Sequence, residues 1–257
     1  LNVNWRSAYL HSRRNSQVKV IILSAGRGSR LLPLTENIPK CLLDVNGRCV
    51  LDRQVRLLDS RGLGPIKIVT GFQSHLVDQE LAAFQAEGID AQSNFNPFYL
   101  VSDNLASCWM DRVHMDGPFI LLNGDTLLSE GALDKVLARE MDCPIVVTTD
   151  EAPQYDDDDM KVELKDGRLS AISKDLPAER THAESIGLLR FRSDGAGLFL
   201  ETVDRILRTR NGLNLWFLQA IDQIAKSHHV GVISIAGELW GELDDKKDLK
   251  YLRSVFN

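Results

Sequence analysis

Apolar residues along this chain follow two rhythms. Short, nearly unbroken apolar or β-branched runs occur at residues 18–23 (VKVIIL), 66–70 (IKIVT), 119–122 (FILL) and 145–149 (IVVTT). Between them lie longer stretches, 51–60, 75–87 and 131–139, whose apolar residues recur every three or four positions. The runs lack the alternation of a strand with one wet face, so they predict strands covered on both sides, as in a parallel sheet. The periodic stretches predict helices: Leu51, Val55 and Leu58 share one face, as do Leu76, Leu81 and Phe84. Gly62, after Arg61, ends the first of them. Strand–helix alternation of this kind predicts an α/β layered architecture.

The rhythm changes after Asp150. Residues 160–164 and 169–172 alternate on either side of Asp166-Gly167, the pattern of a hairpin. A further strand is expected at 185–191, amphipathic helices at 196–208 and 215–227, a late strand at 230–236, and a closing helix at 247–256 after the segment 239–245. The polar segment 93–107 reads as a loop whose end nucleates a helix over 106–113. The expected fold is a Rossmann-like, mixed and mostly parallel sheet flanked by helices, with an inserted antiparallel hairpin portion. Residues 1–17 read as an N-terminal arm and 18–257 as a single domain.

Composition narrows the function classes. With 44% apolar and 26% charged residues the 257-residue chain is that of an ordinary soluble globular protein. A net charge of −6 and a pI near 5.5 give no basic field to hold nucleic acid. No segment approaches the roughly 20 apolar residues that span a bilayer, and residues 1–17 are too polar for a signal peptide. The four cysteines, Cys41, Cys49, Cys108 and Cys143, form no CxxC and have no histidines at zinc-ligand spacing. A reducing cytoplasm, with no nucleic-acid or membrane partner, is the expected setting.

The chemistry is concentrated after the first strand, in LSAGRGSRLLPLTENIPKCLLDVNG. Gly26 and Gly28 leave room for backbone N–H groups to approach a polyphosphate, and Arg27, Arg30 and Lys40 supply fixed positive charge around it. A dinucleotide-binding turn would need Gly or Ala at the sixth position and a helix directly behind it; here Leu31 and Pro33 stand instead. The G-x-x-x-x-G-K-S/T of a P-loop is absent. A glycine loop that merely turns explains the glycines but not the three cations.

The same stretch closely resembles the signature of the nucleotidyltransferases that join a nucleoside triphosphate to a phosphorylated sugar or alcohol. Gly26, Gly28, Arg30, Pro33, Thr35, Pro39 and Lys40 all match that pattern. The resemblance, which extends over most of 18–257, implies the nucleotide-diphospho-sugar transferase type of fold. It also implies a nucleotide-binding half over 18–150 and an acceptor-binding half over 151–257. The loop Ser24, Ala25, Gly26, Arg27, Gly28 and Ser29 would wrap the triphosphate, Arg30 would hold the departing pyrophosphate, and Lys40 would bridge the reacting phosphates. Such a reaction runs on positioning and charge neutralisation rather than a nucleophilic side chain.

It also needs magnesium, which takes oxygen ligands from one or two carboxylates and the phosphates. The resemblance implies Asp125, in Gly124-Asp125 after the third strand, and Asp244, in Trp240-Gly241-Glu242-Leu243-Asp244, as the Mg2+ ligands. Asp125 could instead cap the next helix. The run Asp156–Asp159 has the character of a solvated acidic loop.

Residues 102–109 (SDNLASCW) are similar to the Asn-x-x-Ser segment of bacterial choline-phosphate cytidylyltransferases, which points to CTP, with Asn104 and Ser107 near base or ribose; Ser107 could equally start a helix. Choline would need aromatic walls. Trp216 and Phe217 lie where the choline enzymes carry an aromatic pair, with Tyr155 or Trp109 as further candidates, although the same spacing fits a core-facing helix. Lys174 and Glu184 fall near positions that touch the acceptor in relatives. The expected partners are therefore a nucleoside triphosphate and a small phosphorylated acceptor, a phosphorylated alcohol such as phosphocholine or, alternatively, a sugar 1-phosphate with CTP, UTP or dTTP. A nucleotide-binding regulatory module without catalysis would be expected to lack the charges at Arg30, Lys40, Asp125 and Asp244, and all four are present.

Overall fold

A computed structural model describes residues 18–256; the N-terminal arm 1–17 lies outside them. The strands in chain order are β1 (Lys19–Ser24), β2 (Asp44–Val45), β3 (Arg48–Cys49), β4 (Ile66–Thr70), β5 (Ala91–Phe95), β6 (Phe119–Asn123) and β7 (Thr126–Leu128). There follow β8 (Ile145–Asp150), β9 (Lys161–Lys165), β10 (Arg168–Ser173), β11 (Ala183–Phe191), β12 (Val230–Ser234) and β13 (Trp240–Glu242). Nine of them form one sheet. β5, β4, β1 and β6 run parallel, β11 joins β6 antiparallel, and β8 and β12 continue beyond β11. The β9–β10 hairpin attaches to the first residues of β11, at Ala183 and Glu184. The fold is the expected one: a mixed, mostly parallel sheet flanked by helices, with extra antiparallel strands.

Alternation along each strand feeds two cores. Ile21, Leu23, Phe119 and Leu121 face the helices Asn104–Met110, Ser193–Leu207 and Phe217–Ala225, where Phe191, Phe199 and Phe217 pack. Val20, Ile22, Ile120 and Leu122 face Val50–Ser60, Ser74–Ala86 and Glu130–Ala138. A third, smaller core joins Leu31 and Val45 to Leu127, Leu243, Leu249 and Leu252. It seats the last helix, Lys246–Val255, under the glycine loop and the β7–β13 ribbon.

One stretch departs from expectation. The polar segment 93–107 is not all loop: β5 ends at Phe95, and the helix starts at Asn104 with Asp103 as its cap. β5 lies at the sheet's edge, paired only with β4, and much of AQSNF is solvent-exposed. An edge strand with wet faces lacks the apolar signal on which a sequence reading depends.

Candidate active site

The site lies at the carboxyl ends of β1 and β6, the edge where open α/β sheets take ligands. Leu23 stands beside Asn123 in the parallel register, and the Gly124 N–H donates to Leu23 O at 2.9 Å. Gly124 is required there, because a Cβ would overlap Leu23 O and Ser24 Oγ. Asp125 is thereby fixed just above the end of β1. It does not cap the next helix; Ser129 does, accepting from the Ala132 N–H.

The glycine loop is fastened through its carbonyls. Ala25 O accepts from the Phe72 N–H at 3.2 Å, and Gly28 O accepts from the Leu31 N–H and from the buried Thr35 hydroxyl at 2.7 Å. Gly28 adopts φ 71°, and a Cβ there would stand 3.0 Å from Lys40 Cβ, so this glycine serves the turn and the approach of Lys40. Nothing lies within 4 Å of a Cβ built on Gly26, whose backbone faces open space. Ser24, Ala25, Gly26 and Gly28 line a cleft of about 230 Å³. Arg27 turns its guanidinium over the Phe72 ring, 5.3 Å from the centroid, and Ser29 opens a short 3₁₀ turn; neither lines the cleft.

Two carboxylates 119 positions apart in sequence meet here on one cation. The Lys40 ammonium pairs with Asp125 and donates to Asp244 Oδ1 at 2.8 Å. The β7–β13 ribbon brings them together: Thr126 pairs with Glu242, and the Leu243 N–H donates to Asp125 O at 3.0 Å. Asp248 accepts from the Asp244 and Asp245 N–H groups, fixing the turn that carries Asp244. Burial alone would lower the Lys40 pKa, but Asp125 and Asp244 outweigh it and hold it above the ordinary value. Burial raises the Asp244 carboxyl, and Lys40 and Arg30 more than reverse that, leaving it below the ordinary value.

The donor set suits a hard divalent cation. Asp125 Oδ1 is buried with no partner among the described residues, and the carboxylates already converge on one positive charge. No cluster of three or more His, Cys, Asp or Glu residues placed to hold a metal occurs among the described residues. Two carboxylates of the chain are thus what a metal would find, with phosphate oxygens as its other ligands.

The far wall of the cleft comes from 102–107. The Asn104 side-chain oxygen accepts from the Phe217 N–H at 2.8 Å, capping the helix Phe217–Ala225. Ser107 does not start its helix; it is buried within it, and its hydroxyl accepts from Asn96 Nδ2 at 3.1 Å while lining the cleft. A second pocket of about 140 Å³ adjoins the first, with Asn104, Asn123 and Asp125 bordering both. Lys174, Glu184, Trp216 and Asp244 also line it, so the structure brings together the residues read from both halves of the chain.

Its chemistry differs from the aromatic cage anticipated for choline. Phe217 borders the pocket, but its ring is wholly buried in the core. Tyr155 lies outside the pocket and accepts from the Ala152 N–H, and Trp109 packs on the core beneath Arg112. Only Trp216 remains, and the Lys174 ammonium already sits 4.6 Å from its ring centroid. Burial, then the charges of Asp159, Asp150 and Asp156, push the Glu184 carboxyl up to about 7.

Two residues of the site were not apparent in the sequence reading. Asp158, within the acidic run that reads as a solvated loop, lines the second pocket and accepts from Arg30 at 2.7 Å and from Lys174 at 3.1 Å. Glu242 lines that pocket and accepts from the Thr126 hydroxyl at 3.2 Å; burial and the neighbouring Asp125 and Asp244 raise its pKa. The acidic run followed by Met160-Lys161-Val162 was the available signal for Asp158, and strand alternation through Trp240-Gly241-Glu242 that for Glu242.

Residues 20–189 match the model of the MobA-like NTP transferase domain. The CTP:phosphoglutamine cytidylyltransferase of Campylobacter jejuni is 24% identical over 255 residues, covering 91% of this chain and 98% of that protein. The choline-phosphate cytidylyltransferase of Streptococcus pneumoniae is 35% identical over 98 residues, 36% of this chain and 43% of that one. The CMP-5'-(3-aminopropyl)phosphonate synthase of Streptomyces rubellomurinus is 26% identical, over 90% of this chain and 37% of that one. Among solved structures, the CTP:phosphocholine cytidylyltransferase of Streptococcus pneumoniae superposes with a TM-score of 0.77 at 23% identity, covering 94% of this chain and all of the other. The inositol-1-phosphate CTP transferase of T. maritima gives 0.75 at 16%, covering 93% and 96%. These structural likenesses speak for the fold. The family match takes in β1, the glycine loop, Lys40 and Asp125, the parts that surround the nucleotide cleft, and runs on into β11. The chain belongs to the MobA-like NTP transferase domain family and is a nucleotidyltransferase.

Proposed function

We propose that the protein is a magnesium-dependent cytidylyltransferase that joins CTP to a small phosphorylated acceptor and releases pyrophosphate. The observation that carries this reading is Lys40 between Asp125 and Asp244, where Lys40 lines the first pocket, Asp244 the second, and Asp125 the wall shared by both. A triphosphate in the first pocket and a phosphate in the second would meet at that wall. An acceptor phosphate oxygen forms a bond to the α-phosphorus, the bond from that phosphorus to the bridging oxygen breaks, and pyrophosphate leaves with the electron pair.

Each residue then has a physical task. The open backbone around Gly26 receives triphosphate oxygens, Arg30 faces the departing pyrophosphate, and Lys40 neutralises charge on the reacting phosphates. Asp125 and Asp244 would hold magnesium, which when bound supplies charge neutralisation between the two anions. Ser107 and Asn104 stand where the nucleoside would lie, and Lys174 faces the acceptor phosphate. Arg30 and Lys174 each already hold a carboxylate oxygen of Asp158, Oδ2 and Oδ1 respectively.

With one aromatic wall, covered by Lys174, the pocket offers little to a quaternary ammonium. Glu184, Asp159 and Asn104 suit instead an acceptor whose phosphate is followed by a hydrogen-bonding amine, amide or hydroxyl. The resemblance to enzymes for phosphoglutamine and an aminoalkylphosphonate supports that class. The test is pyrophosphate release with CTP, UTP and dTTP, each paired with phosphoglutamine, phosphocholine, aminoalkylphosphonates and sugar 1-phosphates. Turnover with CTP and an amine- or amide-bearing phosphorylated acceptor is expected. Turnover confined to UTP or dTTP with sugar 1-phosphates would overturn the reading, as would tight triphosphate binding with no turnover by any pair.

A further inference from the structure

Behind the Asp125 turn lies a residue that the proposed chemistry does not use. Gln54 sits in the middle of the helix Val50–Ser60, on its core-facing side among Leu51, Val55 and Leu58, and is 3% exposed. Its amide nitrogen donates to Asn123 O at 2.8 Å and to Thr126 O at 2.7 Å. These carbonyls flank Gly124-Asp125, so one buried amide uses both N–H groups to close the base of the turn. Its own oxygen, Oε1, is buried without a partner among the described residues. A buried amide with half its bonding capacity unmet is unfavourable compared with an apolar side chain of similar size. Packing alone therefore gives no reason for glutamine at this position.

We propose that Gln54 is a positioning residue for Asp125. The turn is held from the front by the C-terminal ribbon, through the Leu243 N–H on Asp125 O and the Thr126 hydroxyl between Glu242 and Ile186 O. Gln54 holds it from behind, through the two carbonyls that flank Gly124-Asp125. With both faces tied, the Asp125 carboxylate is aimed toward Lys40 and Asp244 and does not reorient when a cation binds. Without the amide, the turn can pivot on the ribbon, and binding a cation must first order it.

This inference rests on Asp125 being a metal ligand, and the experiment separates the two. Four variants of the full chain are compared: Gln54→Met, which keeps the volume and removes the donors; Gln54→Glu, which keeps one donor only while protonated; Asp125→Asn; and Leu58→Ala, a destabilising change on the same helix. The readouts are half-saturating Mg2+ in the pyrophosphate assay, Mn2+ affinity by electron paramagnetic resonance with CTP and no acceptor, and amide hydrogen exchange over 123–127. Gln54→Met is expected to raise half-saturating Mg2+ and weaken Mn2+ about tenfold, as removing a support of a metal ligand does, and to speed exchange at 123–127. Leu58→Ala should lower Tm while leaving the metal readouts unchanged. If Gln54→Met fails to fold, Gln54→Glu carries the test, its Mg2+ requirement rising with pH as its donor is lost. Wild-type metal affinity in folded Gln54→Met, or in Gln54→Glu at a pH where its carboxyl is ionised, alongside its loss in Asp125→Asn, would make Gln54 a packing residue only. Unchanged metal affinity in Asp125→Asn would overturn the metal assignment, and this inference with it.

Discussion

The two adjoining pockets are built from different materials. The first pocket, the proposed nucleotide side, is main chain along one wall: strand ends, a glycine loop fastened through its carbonyls, and a turn that tolerates no Cβ at Gly124. The acceptor side is made of side chains from separate segments, and its most prominent link, Arg30–Asp158–Lys174, joins groups that are largely exposed except for Lys174. Main-chain geometry is set by the fold and changes little with sequence. A side-chain wall can be altered one residue at a time. On the proposed reading, the first pocket holds the triphosphate and the second chooses the acceptor.

Substitutions can break that division. Asp125→Asn should have the largest effect, because a neutral amide is a poor ligand for magnesium. A loss of several kcal/mol of charge stabilisation corresponds to about a thousandfold in turnover, and near-wild-type rates at saturating magnesium would contradict the assignment. Lys40→Ala should follow, lowering kcat by about a hundredfold or more with a smaller change in the KM for CTP. Equal losses in both would make Lys40 a binding residue only. Lys174→Ala should act on the other side of the divide, raising the acceptor KM by about tenfold, the value of one charge-assisted hydrogen bond, and sparing the KM for CTP. A change confined to CTP would erase the distinction between the pockets.

Asp158→Asn should have the smallest kinetic effect, and in the opposite direction. Asp158 holds Arg30 and Lys174 where phosphates would sit, so neutralising it should lower both KM values. Exposed ion pairs contribute at most about 1 kcal/mol, so the gain should stay within about fivefold. Raised KM values would instead make Asp158 part of the binding wall.

Glu184 sharpens the comparison through pH. Its carboxyl is raised to about 7 in the folded protein, above the ordinary value of an unfolded glutamate, chiefly by burial. A raised carboxyl costs nothing where it is protonated in both states, and destabilises progressively as pH climbs from the unfolded pKa through about 7. Wild-type Tm should therefore fall over that window relative to Glu184→Gln, with the two converging at low pH. Parallel melting curves against pH would remove Glu184 from the titrating groups of the pocket.

The parts of the molecule most legible in the sequence were those that use the fewest degrees of freedom. β1, the glycine loop and Gly124-Asp125 are constrained locally by buried strands and close backbone approaches, so their residue types carry their roles. The meeting of Asp125 with Asp244 was legible only through resemblance, since no local pattern says that β13 returns to pair with β7. β5 escaped notice because its edge position leaves it polar. Asp158 was hidden within four identical neighbours, where only the path of the loop decides which aspartate reaches Arg30. The aromatic pair misled for a related reason: Trp216 and Phe217 are adjacent, but a helix begins between them, turning one ring into the core and leaving the other at the pocket.

The β7–β13 ribbon also has a consequence for the order in which the enzyme becomes competent. The glycine loop, Lys40 and Asp125 are synthesised early, and the sheet around them can begin to assemble while later residues are still being added. Asp244 and the helix that seats it arrive more than a hundred residues later. A growing chain would thus carry the residues of the proposed triphosphate cleft before it carried Leu243, Leu249 and Leu252, on which the glycine loop rests. On the proposed reading the site is complete only when the end of the fold closes over its beginning.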